Sequence, residues 1–242
     1  MRIIATVAGE TLPFASLHSG ARPATYTLLA AGDRDLASDL HDHGWHGTGR
    51  RPWSLRPPLE LAAGQPTGQL ELASPDRHIA DTFHRGLICS PHILWAGHLL
   101  DVVHVDVVDT VAAPIFHSIT PVVVNGPPPR RAPISPDEAL FEPWLEMSLR
   151  CAAAFAIHFG CDPHLHVAGI VAGPKLLVVS DSGRRRVAAS WAAVEVDGDQ
   201  KLLETLGELG LGARSTEGFG YLPTVSITPD NHDAAHSKEL VR

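Results

Sequence analysis

The stretch Gly210-Leu211-Gly212-Ala213-Arg214-Ser215-Thr216-Glu217-Gly218-Phe219-Gly220-Tyr221 organises the reading of the chain. Its glycines, at 210, 212, 218 and 220, fall within eleven residues. The leucine-rich run Leu202 to Leu209 leads in at helical spacing, and the apolar run Phe219 to Val225 leads out. Glycine admits positive φ and close backbone approach, so such a loop can turn its N–H groups toward one anion. Arg214, Ser215 and Thr216 add a charge and two hydroxyls at its centre. The physical reading is a helix–loop–strand cradle for phosphate. It is not a nucleotide P-loop, because no Gly-Lys-Ser/Thr closes it. A dinucleotide fingerprint follows a strand and opens a helix, and here that order is reversed.

Working outward, residues 2–8 read as a strand. Pro23 fits the first turn of a helix carrying Tyr26, Leu28 and Leu29. Asp33 caps a second helical stretch, with Leu36 and Leu40 on one face, ending near His41 before Gly44, Gly47 and Gly49. Two strands are expected at 53–63 and 68–74, then a helix from Ser74-Pro75 in which Ile79, Phe83 and Leu87 recur every four residues. Valine alternates with polar residues from Leu99 to Asp109, the pattern of a half-buried strand.

That order is β-α-β-β-α-β, the ferredoxin-like unit, and it recurs. Ile115 to Val124 reads as a strand, followed by the proline and arginine loop Gly126 to Arg131. Ser135, Pro136 and Glu138 form a capping box for a helix to about Phe159, bent at Pro143. His166 to Val179 and Val187 to Val196 are strands around the turn Asp181-Ser182-Gly183. Gln200 to Leu209 is a helix and Phe219 to Ile227 the closing strand. The expected fold is α+β: two tandem ferredoxin-like domains, 1–112 and 113–228, with a flexible tail at 229–242.

An apolar fraction of 44% in 242 residues is ample for a core. No apolar run approaches membrane-spanning length, and the start Met-Arg-Ile-Ile-Ala-Thr-Val-Ala-Gly-Glu is too short and too soon acidic for a signal peptide. Cys89, Cys151 and Cys161 are scattered, which suits a reducing cytoplasm and no disulfide framework. A net charge of −8 counts against nucleic-acid binding in bulk. Its distribution softens that, because sixteen of the nineteen basic residues are arginines. Arg50 and Arg51 cluster with Arg56, Arg130 with Arg131, and Arg184 to Arg186 form a run. Arginine suits phosphate forks and base stacking, although a GC-rich genome also produces an arginine bias.

The pattern Gly-x-Gly, five residues, Gly-aromatic-Gly near the C-terminus resembles the glycine-rich loop of the CRISPR-associated RAMP proteins. It is most similar to their repeat-cleaving endoribonuclease branch, the Cas-six family. A second segment, Tyr26 to Pro58, supports the resemblance. Tyr26 stands on the first helix, Leu40-His41-Asp42 matches a leucine-His-acid context at a helix end, and Arg51-Pro52-Trp53-Ser54 matches a basic–aromatic–hydroxyl strand entry. Ile119-Thr120-Pro121-Val122 matches the start of the second unit. The match departs at Arg51, where related enzymes often place a lysine.

The resemblance implies a metal-independent endoribonuclease that cleaves CRISPR precursor RNA within its repeats, without a cofactor. Its partners would be precursor and mature guide RNA, together with other CRISPR effector subunits, and not a membrane. The implied catalytic residues are His41, Tyr26 and Arg51. The implied RNA contacts are Gly210, Gly212, Arg214, Ser215, Gly218 and Gly220 of the loop, with Arg50, Arg130 and Arg131. RNA carries its own nucleophile, the 2′-hydroxyl, so the residue types make sense. Histidine titrates near neutrality and suits proton transfer. Arginine can hold phosphoryl charge but does not readily donate a proton.

Other readings stay open. His43 or His46 can stand in for His41. A non-catalytic RAMP subunit would bind guide RNA without cutting it. A histidine-rich metal hydrolase is also conceivable, since His41, His43 and His46 form one run and His158, Cys161, His164 and His166 another. Neither run has zinc-finger spacing or a His-Glu-x-x-His helix.

Overall fold

The computed structural model describes residues 1–127, 132–180 and 185–223. The first unit runs β1 (Arg2–Ala8), α1 (Ser16–Gly32), α2 (Arg34–Asp42), β2 (Ser54–Arg56), α3 (Leu59–Ala62), β3 (Thr67–Ala73), α4 (Arg77–Cys89), β4 (His92–Trp95) and β5 (His98–Val108). Its sheet has the order β2-β3-β1-β5-β4, with every neighbouring pair antiparallel. The central strand alternates: Ile3, Ala5 and Val7 are buried in one cluster with Leu17, Ala21, Ala24 and Leu28 of α1 and with Ile79, Phe83 and Leu87 of α4. Each leucine so removed from water contributes about 2 kcal/mol. The two helices touch through Gly86, where an added Cβ would lie 1.9 Å from the Leu28 carbonyl oxygen.

Three local expectations change here. Helix α1 begins at Ser16, so Pro23 lies inside it rather than in its first turn. Burial of Leu17 and Ala21 carries the helix past the point where proline alone would start it. The expected strand 53–63 stops at Arg56, because Pro57 and Pro58 lack donors for the ladder, and α3 follows. Strand β4 was not expected; it joins β5 through Ala96 and Gly97, both at positive φ.

The second unit runs β6 (Ile115–His117), α5 (Phe141–Ala156), β7 (His166–Ala172), β8 (Leu176–Ser180), β9 (Arg185–Ala189), β10 (Ala192–Asp197) and α6 (Gln200–Leu209). The sheet order is β6-β10-β7, antiparallel, and β8 and β9 form a separate ribbon. Phe116 and Val194 of this sheet share a core with Leu145 and Leu149 of α5 and with Leu202 and Leu206 of α6. Asp199 caps α6, accepting from the Leu202 N–H at 3.0 Å.

The expected strand 115–124 is interrupted after His117; Val122 then bridges to Ser190 and Val123 to Ala213. Ser135 N–H does donate to Glu138 Oε1, at 2.8 Å, yet the helix starts only at Phe141. Pro143 therefore sits in the first turn, where its missing N–H costs nothing and no bend is needed. The expected strand 166–179 is cut at Gly173-Pro174 into β7 and β8. Residues 219–223 are not a ladder strand. They lie beside 119–121, the place of a fourth strand: Gly220 N–H donates to the Pro121 carbonyl at 2.9 Å and Ile119 N–H to the Tyr221 carbonyl at 3.0 Å. The turn 181–183, residues 224–227 and the tail 229–242 lie outside the described residues. The whole is an α+β fold of two tandem ferredoxin-like units. Among the described residues no helix is long and apolar enough to cross a membrane.

A buried polar network ties the units together. Arg2 of β1, fully buried, donates through Nη1 to the Tyr221 hydroxyl at 2.7 Å and the Leu222 carbonyl at 2.6 Å, and through Nη2 to the Gly207 carbonyl at 3.0 Å. Tyr221 in turn donates to Glu71 Oε2 at 2.8 Å, and Glu71 pairs with Arg56 at 3.1 Å. Burial pushes the Tyr221 hydroxyl far above the usual phenol range, so it stays a donor.

Candidate functional site

Three side chains from separate elements meet at the end of α2. Tyr26 lies on the middle of α1, His41 on the last turn of α2, and Arg51 on the segment entering β2. Arg51 Nε donates to the Tyr26 hydroxyl at 2.6 Å and Nη2 to the His41 carbonyl at 2.7 Å. The Tyr26 hydroxyl donates to the Leu40 carbonyl at 3.3 Å. The rings of Tyr26 and His41 meet edge-on, with centroids 5.2 Å apart, and Trp53 backs Tyr26 at 6.0 Å. The His41 side chain is exposed, and its Nδ1 is 2.9 Å from Asp42 Oδ1. That hydrogen bond holds the Asp42 carboxyl below the usual carboxylate range. His43 instead pairs with Asp39 at 3.1 Å, and His46 packs on Trp45, so neither joins Tyr26 and Arg51.

Beside this cluster a hollow of about 310 Å³ opens between the units. Arg50 and Arg51 line it from the first unit, α5 contributes Cys151 and Phe155, and the glycine-rich stretch contributes Arg214 and Thr216. Three guanidinium groups from two chain segments thus share one pocket, and among the described residues lining it there is no carboxylate. Arg50 reaches across the units: Nη1 donates to the Cys151 carbonyl at 3.1 Å, and the guanidinium sits 4.9 Å from the centre of the Phe155 ring. Arg214 pairs with Glu217 at 3.1 Å. A second hollow, of about 610 Å³, is lined by Leu59, Ile119 and Trp191, with Arg56 beside Glu60 and Glu71. Its single arginine is neutralised by those carboxylates, so a polyanion favours the first hollow over the larger one.

The glycine-rich loop is built differently from an open nest of amides. Gly210, Gly212, Gly218 and Gly220 all have positive φ, and each packs against backbone or a neighbouring ring. At Gly220 an added Cβ would lie 2.0 Å from the Leu211 carbonyl oxygen. Most amides expected to face an anion turn inward: Leu211 N–H donates to Gly220, Ala213 to Val123, Gly218 to Ser215 and Gly220 to Pro121. Ser215 also faces inward, its hydroxyl donating to the Trp53 carbonyl at 3.1 Å. The loop's offering to the pocket is therefore side-chain chemistry, Arg214 and Thr216, on a backbone locked to the first unit. Arg130 and Arg131 lie outside the described residues.

His18, on α1, was not foreseen. It is buried, stacks on Phe219 with centroids 4.0 Å apart and planes 14° apart, and its Nδ1–H donates to the Glu217 carbonyl at 3.1 Å. Burial pushes its pKa down to about 4. A lone histidine on an apolar helix face carries no sequence signal for this partnership, which spans about two hundred residues.

The histidine and cysteine runs do not assemble as ligand sets. Cys161 is buried with its sulfur 3.3 Å from Thr205 Oγ1, whereas His164 and His166 are exposed. Among the described residues no group of three or more His, Cys, Asp or Glu side chains is placed to hold a metal ion.

Residues 108–223 match the family model described as CRISPR associated protein Cas6, C-terminal. The matched stretch takes in the second unit of this chain, which is thus similar to a Cas6 C-terminal domain. Solved structures extend the likeness over both units. A Cas6-related protein from Pyrococcus furiosus is 17% identical, with a TM-score of 0.67 over 93% of this chain and 98% of its own. A RAMP protein described as binding different RNA substrates is 15% identical, with a TM-score of 0.71 over 93% of this chain and 99% of its own. A Cas6 product complex is 16% identical, with a TM-score of 0.61 over 93% of this chain and all of its own. At these identities the likeness is one of fold. No curated protein matches the sequence significantly. The matched residues include the glycine-rich loop, while Tyr26, His41 and Arg51 lie in the preceding unit.

Proposed function

We propose that this chain is an endoribonuclease that cuts CRISPR precursor RNA within its repeats, in two domains spanning 1–112 and 113–228. The observation that carries the reading is the meeting of His41, Tyr26 and Arg51 at the edge of a pocket lined by Arg50, Arg51 and Arg214. Solved relatives named as a Cas6 product complex and as an RNA-binding RAMP protein support RNA as the ligand.

In this mechanism the 2′-hydroxyl of the RNA attacks the adjacent phosphorus and the 5′-oxygen of the next nucleotide leaves. The products carry a 2′,3′-cyclic phosphate and a 5′-hydroxyl. With Nδ1 of His41 on Asp42, Nε2 is the nitrogen that meets a reacting oxygen and moves its proton. Arg51 has five N–H donors; Tyr26, His41 and Gly49 take three, and the others remain for phosphoryl oxygens. Tyr26 fixes the guanidinium in place. Arg50 and Arg214 hold neighbouring phosphates, as do the loop and Arg130 and Arg131 in this reading. The nucleophile belongs to the substrate, so the reaction needs no metal or cofactor. RNA transcripts and effector subunits place the work in the cytoplasm.

The test is cleavage of repeat RNA. His41→Ala should lower the rate at least about a hundredfold, the usual scale for a positioned acid or base, while affinity stays near that of the parent. Activity should persist in EDTA, and a 2′-deoxy nucleotide at the cut should block it. A deoxy substrate that is cut, or chelation that stops the enzyme, overturns the mechanism. One observation favours a second reading, a guide-RNA-binding RAMP subunit: the cation beside Tyr26 is an arginine, which holds its proton. Tight repeat binding with no cleavage by the parent protein would establish it.

A further inference from the structure

Two histidine-bearing stretches, more than a hundred residues apart, meet at one tryptophan. Trp45 opens the short 3-10 turn Trp45–Gly47 that follows α2. Its ring centroid lies 4.3 Å from that of His46, 5.6 Å from His158, 5.6 Å from Phe155 and 5.0 Å from Phe159. Phe155 and Phe159 supply the packing that a half-buried indole needs, and Asp76 accepts its N–H. The two imidazoles are exposed and add little to that packing. His46 moreover holds φ 46° and ψ 39°, the left-handed region that disfavours residues other than glycine. An outlier of this kind, next to a binding pocket, is a pointer to function.

The cluster is continuous with the arginine pocket. Phe155 lines that pocket and carries the Arg50 guanidinium over its ring. Cations for phosphates and rings for bases thus lie side by side on one surface, the combination by which proteins hold single-stranded nucleic acid. Resting on the reading above that the pocket holds RNA phosphates, we infer that Trp45, His46 and His158 form a seat for one unpaired nucleobase of the bound RNA. The base stacks on the exposed imidazoles, and the phosphate beside it lies at Arg50. Stacking is tolerant of base identity, because every base has a π-face, so this seat positions the strand and does not read its sequence.

The experiment uses the full chain and a fluorescein-labelled single-stranded RNA of the host's CRISPR repeat. His46→Gly removes the ring and suits the left-handed backbone, so its melting temperature should equal or exceed that of the parent. Its RNA affinity should fall about tenfold, and that of His158→Ala likewise, as expected for the loss of one stacked base. The dependence of affinity on salt at pH 8 should not change, because no phosphate partner is removed. An abasic scan of the RNA should find one position where the parent loses affinity and His46→Gly does not. Unchanged affinity in both variants, or an abasic penalty that persists in full in His46→Gly, overturns the nucleobase seat. Failure of the parent protein to bind the RNA overturns the RNA reading itself, an outcome separate from these.

Discussion

Acidification tests how the glycine-rich loop is anchored. His18 is neutral in the fold, because burial pushes its pKa down to about 4, whereas in an unfolded chain histidine titrates near about 6.5. Between these values the unfolded chain binds more protons, so stability falls as pH falls through this window. The cost reaches about 2 kcal/mol at pH 5 and about 3 kcal/mol at pH 4. Other groups titrate too, so the measurement is a difference against His18→Phe. That variant keeps a ring on Phe219 and loses the bond to the Glu217 carbonyl. At pH 7.5 it should be less stable than the parent by about 1 kcal/mol, the usual net value of such a bond. Urea unfolding at pH 7.5 and pH 5 gives both gaps. The order should reverse at pH 5, with the variant more stable by about 1 kcal/mol. A gap that is the same at both pH values would refute the claim that His18 is buried and neutral against the loop.

Gly220→Ala should destabilise the fold by about 3 kcal/mol or more, since it combines a φ of 60° with a Cβ 2.0 Å from the Leu211 carbonyl. Gly47→Ala, at φ 72° with nothing within 4 Å, should lose only about 1 kcal/mol, and thermal unfolding compares them. Tyr221→Phe removes the hydroxyl between Arg2 and Glu71, which keep the Leu222 and Gly207 carbonyls and Arg56 as partners, and should lose about 1–3 kcal/mol by urea unfolding. Arg214→Ala should weaken binding of repeat RNA and flatten its salt dependence by about one phosphate contact, read from affinities at several salt concentrations.

By itself the sequence determined the main helices and the central strands, and placed Tyr26, His41 and Arg51 on neighbouring elements, because those signals are local. Helix α6 falls on its expected span, since the Asp199 cap and the leucine spacing act within a few residues. Tyr26, His41 and Arg51 were legible for a related reason: α1, α2 and the entry to β2 are consecutive, so short connections bring their ends together. Strand ends were less legible. Pairing depends on a distant partner, as when Val123 turns from the expected strand to bridge Ala213. What only the tertiary structure decided is which groups face inward. The loop's glycines were read as an open cradle, yet close packing against Pro121, Val123 and Trp53 takes up most of its amides and the Ser215 hydroxyl, leaving side chains to meet an anion. His18 on Phe219 and Arg2 on Tyr221 join residues about two hundred positions apart. Such contacts leave no periodicity to read, because burial of a polar group depends on the partner that satisfies it, and only the folded chain brings that partner near.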